Sequence, residues 1–399
     1  MSQVKRALRI AIIGDRGIPA KYSGFSTLVE ELAVGLVADH NYEVTVYCRT
    51  RYYEDRPKFY KGVRARYLSS PGGKSFESII HSNLAILDAS CRRFDLACVV
   101  EPGNGPFLLP LRLVRTPVVL HTDGLGWQRR KWSPLQRKYY KYAEKVSAKL
   151  ANWLVTDSRA MQDYYETEYE ALSTYIPYSG EVGDPPDNTI LNELGIDAKD
   201  FYLVVARMEP ENNVDLIIDE YRKSKVDRPL IVVGSTPYQT DYSAKVMAEH
   251  DDQVRCIGSI FESAKLNALY AQCRAYIHGH EVGGTNPSLL RAMHHGAACV
   301  PINVIFHRQN VGEEAPYFDK EPGSLATILR ALDGDDARCI LLGEDAHSRE
   351  RRLFRWDAVN AGYATLFETI IEAKQKGMRL TSREIGETYK PENFILPPK

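Results

Sequence analysis

An alternation of buried-strand and amphipathic-helix signals starts near residue 8 and starts afresh near residue 201, and this constrains the chain more than any other feature. Leu8–Ile13 (LRIAII) is an almost continuous apolar run, as a strand covered on both faces of a parallel sheet requires. A Gly-rich turn follows, then a helical pattern over Thr27–Ala38 with Leu28, Leu32, Val34 and Leu36 among its apolar positions. Glu43–Cys48, Leu96–Val100, Pro117–Leu120 and Trp153–Thr156 are further strands, with helical stretches over Phe76–Ser90 and from about Pro134 to Asn152. Such alternation predicts an α/β doubly wound parallel sheet.

Ile176–Pro186 (IPYSGEVGDPP) is dense in Pro and Gly and reads as a linker. Beyond it Phe201–Ala206, Pro229–Val233, Val254–Ile257 and Ala275–His278 are strands, while Val214–Ser224, the stretch near Tyr242–His250, Lys265–Ala271 and Pro287–His295 are helical. Two Rossmann-like domains facing a cleft are expected, with ligands at the carboxyl ends of both sheets. The expected divisions are residues 1–178, 179–345 and a C-terminal helix and tail over 346–399, helical from Glu350 to Lys374.

Charge and cysteine usage narrow the function classes. With 51 Lys+Arg against 52 Asp+Glu the net charge is −1, which excludes nucleic-acid binding by bulk electrostatics. Seven single Cys without a CxxC pair read as reduced thiols of a cytosolic protein. The N-terminal apolar run is too short for a signal peptide, and no stretch reaches the ~20 apolar residues of a membrane span. A cytoplasmic protein is expected, with peripheral contact to the membrane face left open.

Four constellations carry chemistry. Gly14-Asp15-Arg16-Gly17, followed by Gly24, lets the backbone approach a ligand after the first strand. It is not GxGxxG, so a nicotinamide-type site is disfavoured, and a plain tight turn is the other reading. Arg207, in ARMEPENN, ends the first strand of the second domain and suits a diphosphate; a surface Arg paired to Glu209 or Glu211 is the alternative. In HGHEVGGTNPSLLR a strand ends at His278 and His280, Gly283-Gly284 opens the backbone, and a helix begins at Pro287, capped by Asn286 or Thr285. The free N–H groups of Ser288 and Leu289 are expected to cradle a phosphate, unless the helix start merely packs. His278 and His280 lack a third partner at metal-ligand spacing, so no metal is expected. Last, HTDGLGWQRRKW offers His121 and Asp123 at a strand end, Trp127 and Trp132 for stacking on a sugar, and Arg129, Arg130 and Lys131 for lipid phosphates; a solvated basic turn with anchoring tryptophans is the other reading. Asp333-Gly334-Asp335-Asp336 only superficially resembles a metal motif and reads as a polar helix end.

Across both domains and in order, IAIIGDRGIPAKYSGFSTLVEELA, HTDGLGWQRRKWS, ARMEPENN and HGHEVGGTNPSLLRAM resemble the retaining, GT4-like group of GT-B glycosyltransferases. The nearest likeness is to the bacterial rhamnosyltransferase-like branch that builds capsule, exopolysaccharide or O-antigen. The resemblance implies a metal-independent, retaining hexosyltransferase-type enzyme without a cofactor. Its co-substrate is a nucleotide sugar (dTDP-rhamnose as first guess) and its acceptor a lipid-linked oligosaccharide. It implies a C-terminal helix that crosses back to the first domain. It places Gly14 and Gly17 beside the diphosphate, Arg207 on it, Gly284, Thr285, Asn286, Pro287 and Ser288 around sugar and phosphate, and Asp123 as the acidic residue at the acceptor. His121, Trp127, Arg129 and Lys131 then fall on the acceptor side.

Two departures stand out against that pattern. Asn212 replaces a second diphosphate-binding Lys. Arg291 replaces a Glu that binds ribose hydroxyls, reversing charge and hydrogen-bond sense, and the earlier Glu of that pattern falls on Gly283, with Glu281 nearby as its substitute. Asp123, Arg207 and Glu281 are the candidate catalytic residues. The rival from another class is a catalytically impaired GT-B subunit serving as partner or scaffold for an active transferase; a GT-B epimerase or phosphorylase ranks last.

Overall fold

The computed structural model of the chain describes residues 6–20, 24–70, 77–122, 124–129, 132–236, 240–378, 381 and 385–386. They form two compact units. The first holds residues up to Trp127, Pro134–Pro177 and the described residues from Trp356 on; the second holds Tyr178–Arg355 with the described part of Gln128–Ser133.

Eight strands make the sheet of the first unit: β1 (Arg9–Ile13), β2 (Glu43–Arg49), β3 (Phe59–Tyr60), β4 (Val63–Leu68), β5 (Leu96–Val100), β6 (Val118–His121), β7 (Trp153–Thr156) and β8 (Ser173–Tyr175). Their order is β3-β4-β2-β1-β5-β6-β7-β8, and every pair is parallel except β3 against β4. Ile10–Ile13 and Leu96–Val100 are buried throughout, because helices cover both faces of a parallel sheet. The order turns back between β1 and β5, so the loop after β1 opens at a topological switch point.

The second unit has five parallel strands: β9 (Tyr202–Val205), β10 (Leu230–Val233), β11 (Val254–Gly258), β12 (Ala275–His278) and β13 (Ala298–Pro301). Their order is β11-β10-β9-β12-β13, which puts the switch point between β9 and β12. One core joins these strands to helices on their faces through Val204, Ile217, Tyr221, Val232, Ile277, Leu325 and Leu329.

Two readings of the tail and edges change. The helix expected from Glu350 to Lys374 is two helices, Asp336–Leu353 and Trp356–Gln375. Buried Phe354 between them leaves helical geometry at φ −127, ψ 61. The second helix belongs to the first unit: the Tyr42 hydroxyl donates to Glu368 at 2.9 Å, and Tyr363 and Phe367 are fully buried. The hairpin β3–β4 and the short strands β8 and β13 are additions to the elements expected. Among the described residues no helix is long and apolar enough to cross a membrane.

Candidate active site

In the second unit the loops after β9 and β12 are tied together at the switch point. Asn213 donates from Nδ2 to the Gly279 carbonyl at 2.8 Å, and the Glu281 N–H donates to the Glu211 carbonyl at 3.1 Å. A Cβ at Gly279 would run into the Asn212 backbone, so a glycine is required by this close approach. Arg207 is exposed at the end of β9. Its positive charge reaches His280 and, after burial, is the next cause holding that imidazole down to about 3. The second and third constellations therefore form one site. Asn212, in place of a lysine, donates from Nδ2 to the Arg207 carbonyl at 2.8 Å and fixes the turn.

Three histidines lie beneath this surface. His278 and His280 stack with ring centres 4.3 Å apart, and His307 meets His278 edge-on at 4.7 Å. The Tyr276 hydroxyl lies 2.9 Å from His278 Nδ1, and His307 Nδ1 lies 2.8 Å from the Ile302 carbonyl. Burial lowers His278 well below its ordinary range and His307 to about 4, because an imidazolium cannot be solvated there. The rings are neutral at physiological pH. Among the described residues no group of three or more His, Cys, Asp or Glu is placed to hold a metal ion.

Glu211 is 3% exposed, and neither carboxylate oxygen has a hydrogen-bond partner among the described residues. It is therefore no surface partner of Arg207, and a buried carboxylate of this kind is an acceptor awaiting donors. Neither Glu211 nor His307 was legible as a site residue. The first sits in a polar run, ENN, that resembles any exposed turn, and the second lies in a helix with no motif of its own.

The helix Pro287–His294 starts at the expected proline, with Asn286 as its cap. Asn286 Oδ1 accepts the Ser288 N–H at 3.1 Å and the Ser288 hydroxyl at 2.8 Å, while the Leu289 N–H donates to the Asn286 carbonyl at 3.1 Å. This corrects the expected cradle: both N–H groups are already spent in the cap. Thr285 and Gly284 are buried just before it, and Gly283, at φ +153, has open space where a side chain would stand.

Glu281 and Arg291 are likewise engaged. The Glu281 carboxylate pairs with Lys320. Arg291 donates from Nε to Asn267 Oδ1 at 2.6 Å and from Nη2 to the Ser263 carbonyl at 2.9 Å, with its guanidinium 5.8 Å from the Tyr270 ring centre. Both are held by protein partners instead of standing free for a ligand. Asp333 accepts from the Tyr202 hydroxyl and Arg228, and Asp335 caps the next helix at the Arg338 N–H.

In the first unit Gly14 and Gly17 adopt φ +121 and +119, which side-chain-bearing residues rarely reach. A Cβ would strike the Val100 carbonyl at Gly14 and Cys48 at Gly17. Arg49, which carried no sequence signal, is buried beside this loop and donates to the Gly14 carbonyl at 3.3 Å and to Ser78 Oγ at 2.8 Å. Gly24 opens the helix Gly24–His40. His121 is fully buried, with Nδ1 2.5 Å from the Tyr363 hydroxyl and Phe25 edge-on at 5.5 Å; it packs inside the unit and does not present itself to an acceptor. Trp127 is half-buried with Lys141 Nζ 5.0 Å from its ring centre, and Arg129 is half-buried too. Asp123, Arg130 and Lys131 lie outside the described residues.

Residues 199–353 match the family described as glycosyl transferases group 1, and residues 7–181 match a domain of unknown function, DUF1972. No curated protein matches the sequence. The fold is similar to sucrose-phosphate synthase from Thermosynechococcus elongatus, with TM-score 0.75 and 17% identity over 92% of this chain and 100% of that one. HepE of Anabaena, solved in complex with UDP-glucose, gives TM-score 0.70 and 14% identity over 91% of this chain and 100% of that one. An α,α-trehalose-phosphate synthase from Burkholderia vietnamiensis gives 0.68 and 11% over 92% and 100%. The architecture is that of the GT-B glycosyltransferases.

Proposed function

We propose that the protein moves a sugar from a nucleoside-diphosphate donor to a lipid-linked oligosaccharide, in the assembly of a bacterial surface polysaccharide; the match of residues 199–353 to the group 1 glycosyl transferases supports the transfer chemistry. Its chemistry is that of the retaining GT4-like group, without a metal, and dTDP-rhamnose is the first donor to test. HepE, solved with UDP-glucose, is a precedent for a nucleotide sugar on this fold. The observation that carries the reading is the exposed Arg207 guanidinium at the β9–β12 switch point, with His280 within its field. As the glycosidic bond to the diphosphate breaks, negative charge collects on the leaving group. A preorganised guanidinium stabilises that charge more than it stabilises the intact donor.

The Ser288 and Leu289 N–H groups being spent, the neutralisation rests on Arg207 and on the dipole of the Pro287–His294 helix. The unpartnered Glu211 carboxylate accepts from hydroxyls of the donor. Asp123 serves the acceptor side, and Trp127, Arg129 and Lys131 lead a lipid-borne substrate in from the cytoplasmic membrane face.

A second reading, a catalytically impaired subunit that supports an active transferase, is favoured by Arg291, whose guanidinium is bound to Asn267 and Ser263. Calorimetric titration with a panel of nucleotide sugars separates the two. The enzyme reading predicts saturable binding of at least one donor and its turnover with a lipid-linked acceptor. No saturable binding across the panel overturns it in favour of the scaffold.

A further inference from the structure

At the amino end of the first unit's sheet, far along the strands from the glycine loop, a cavity of about 600 Å3 opens beside β1, β2 and β4. Arg9, Lys58, Phe59, Arg64, Arg66 and Arg92 line it. Strand register explains the clustering: Arg64 and Arg66 are two apart on β4 and project to one face, and Arg64 is paired across the hairpin with Phe59. Five cations on one wall of a chain with net charge −1 are costly to gather unless an anion answers them.

The carboxylates at hand answer three of them, Arg66, Arg92 and Arg9, and leave Arg64 and Lys58. Asp88 is shared by Arg66, at 2.6 Å to each oxygen, and Arg92, at 2.6 Å, so one carboxylate serves two guanidiniums. Glu43, also in the lining, reaches Arg9 at only 3.6 Å with both side chains exposed. Among the described residues the Arg64 and Lys58 side chains have no hydrogen bond and no ion pair; Arg64 instead lies 4.8 Å from the Phe59 ring centre. Phe59 remains 54% exposed, so its ring is accessible from the groove.

We propose that this groove binds an acidic oligosaccharide. Carboxylates carried on successive sugar rings pair with Arg64 and Lys58 through charge-assisted hydrogen bonds, and the apolar face of one ring lies on Phe59. The inference rests on the groove's own residues and goes beyond the transfer reaction: it stands whether or not Arg207 meets a diphosphate.

The test is titration of the full chain with tetragalacturonate, with the neutral tetramer maltotetraose and with inorganic pyrophosphate, at low and at physiological salt. The acidic tetramer should bind at least about tenfold tighter than either control and weaken as salt rises. Arg64→Glu should weaken it at least about tenfold and Phe59→Ala about threefold, with melting temperature unchanged because both side chains are exposed. Equal binding of acidic and neutral tetramers, pyrophosphate binding as tightly as the tetramer, or an unchanged Kd in Arg64→Glu overturns the proposal. Donor binding measured alongside should not respond to either variant.

Discussion

Arg291 and Asn267 are joined by a 2.6 Å hydrogen bond from Nε to Oδ1, and Asn267 passes the connection on from Nδ2 to the carbonyls of Val182 at 2.9 Å and Asp184 at 2.7 Å. The Pro287–His294 helix is thereby fastened through the Ser263–Gln272 helix to the start of the second unit. Removing the guanidinium leaves Asn267 Oδ1 and the Ser263 carbonyl short of a donor. Arg291→Ala should cost about 2–3 kcal/mol in urea unfolding. Arg291→Glu should cost at least as much, since Asn267 Nδ2 is already engaged and cannot serve a carboxylate. A glutamate variant as stable as the parent would show that Arg291 is not a fastening.

The Asn286 cap gives a second, smaller prediction. Asn286→Ala loses the acceptor for the Ser288 N–H and should lower stability by about 1 kcal/mol, while Asn286→Asp keeps the acceptor and should recover most of it. Equal loss in both variants would mean that the amide nitrogen of Asn286, not its oxygen, matters.

Buried His121 and Tyr363 form the corresponding pair in the first unit. Tyr363→Phe removes the hydroxyl and strands the imidazole nitrogen, at an expected cost of about 1–3 kcal/mol. Unfolding of the variant in denaturant at neutral pH measures it. A variant indistinguishable from the parent would place His121's polar partner elsewhere.

The histidine cluster predicts how stability responds to acid. His280 is held at about 3 and His307 at about 4, and His278 well below its usual range, all first by burial. In the unfolded chain each titrates near 6.5. Below that pH the unfolded state takes up protons that the native state refuses, so stability is complete above about pH 6.5 and falls as the pH drops towards 4. The slope is at most about 1.4 kcal/mol per pH unit for each imidazole. Unfolding free energies across this range should fall, and the fall in His307→Gln should be shallower by about one proton. A flat profile between these limits would contradict the buried, neutral rings.

The sequence was legible where local chemistry decides and opaque where tertiary contacts do. Ile10–Ile13 and Leu96–Val100 are uniformly apolar, and uniform burial is what such runs announce. The proline and asparagine at the start of the Pro287–His294 helix act within one turn, so that boundary was readable. β4, by contrast, reads VRARYL: its arginines alternate with Val63, Ala65 and Tyr67, the weaker period-two signal of a half-buried strand and not a uniform apolar run. His121 was correctly seen at a strand end, but the partner that buries it, Tyr363, lies 242 residues away. Glu211 looked like a surface charge because nothing in EPENN foretells that the β12 loop closes over it. Arg291 stood out as a departure, yet what it binds, Asn267 and Ser263, depends on how two helices pack.

The proposed sugar transfer turns on Arg207 meeting the donor's diphosphate. Titration of the parent and of Arg207→Ala with the nucleoside diphosphate of whichever donor binds tests it directly. Because the side chain is exposed, the variant should unfold at the parent's denaturant concentration while its Kd rises at least about tenfold, the loss of one charge-assisted contact worth about 1.5–3 kcal/mol. An unchanged Kd in a folded variant would contradict it.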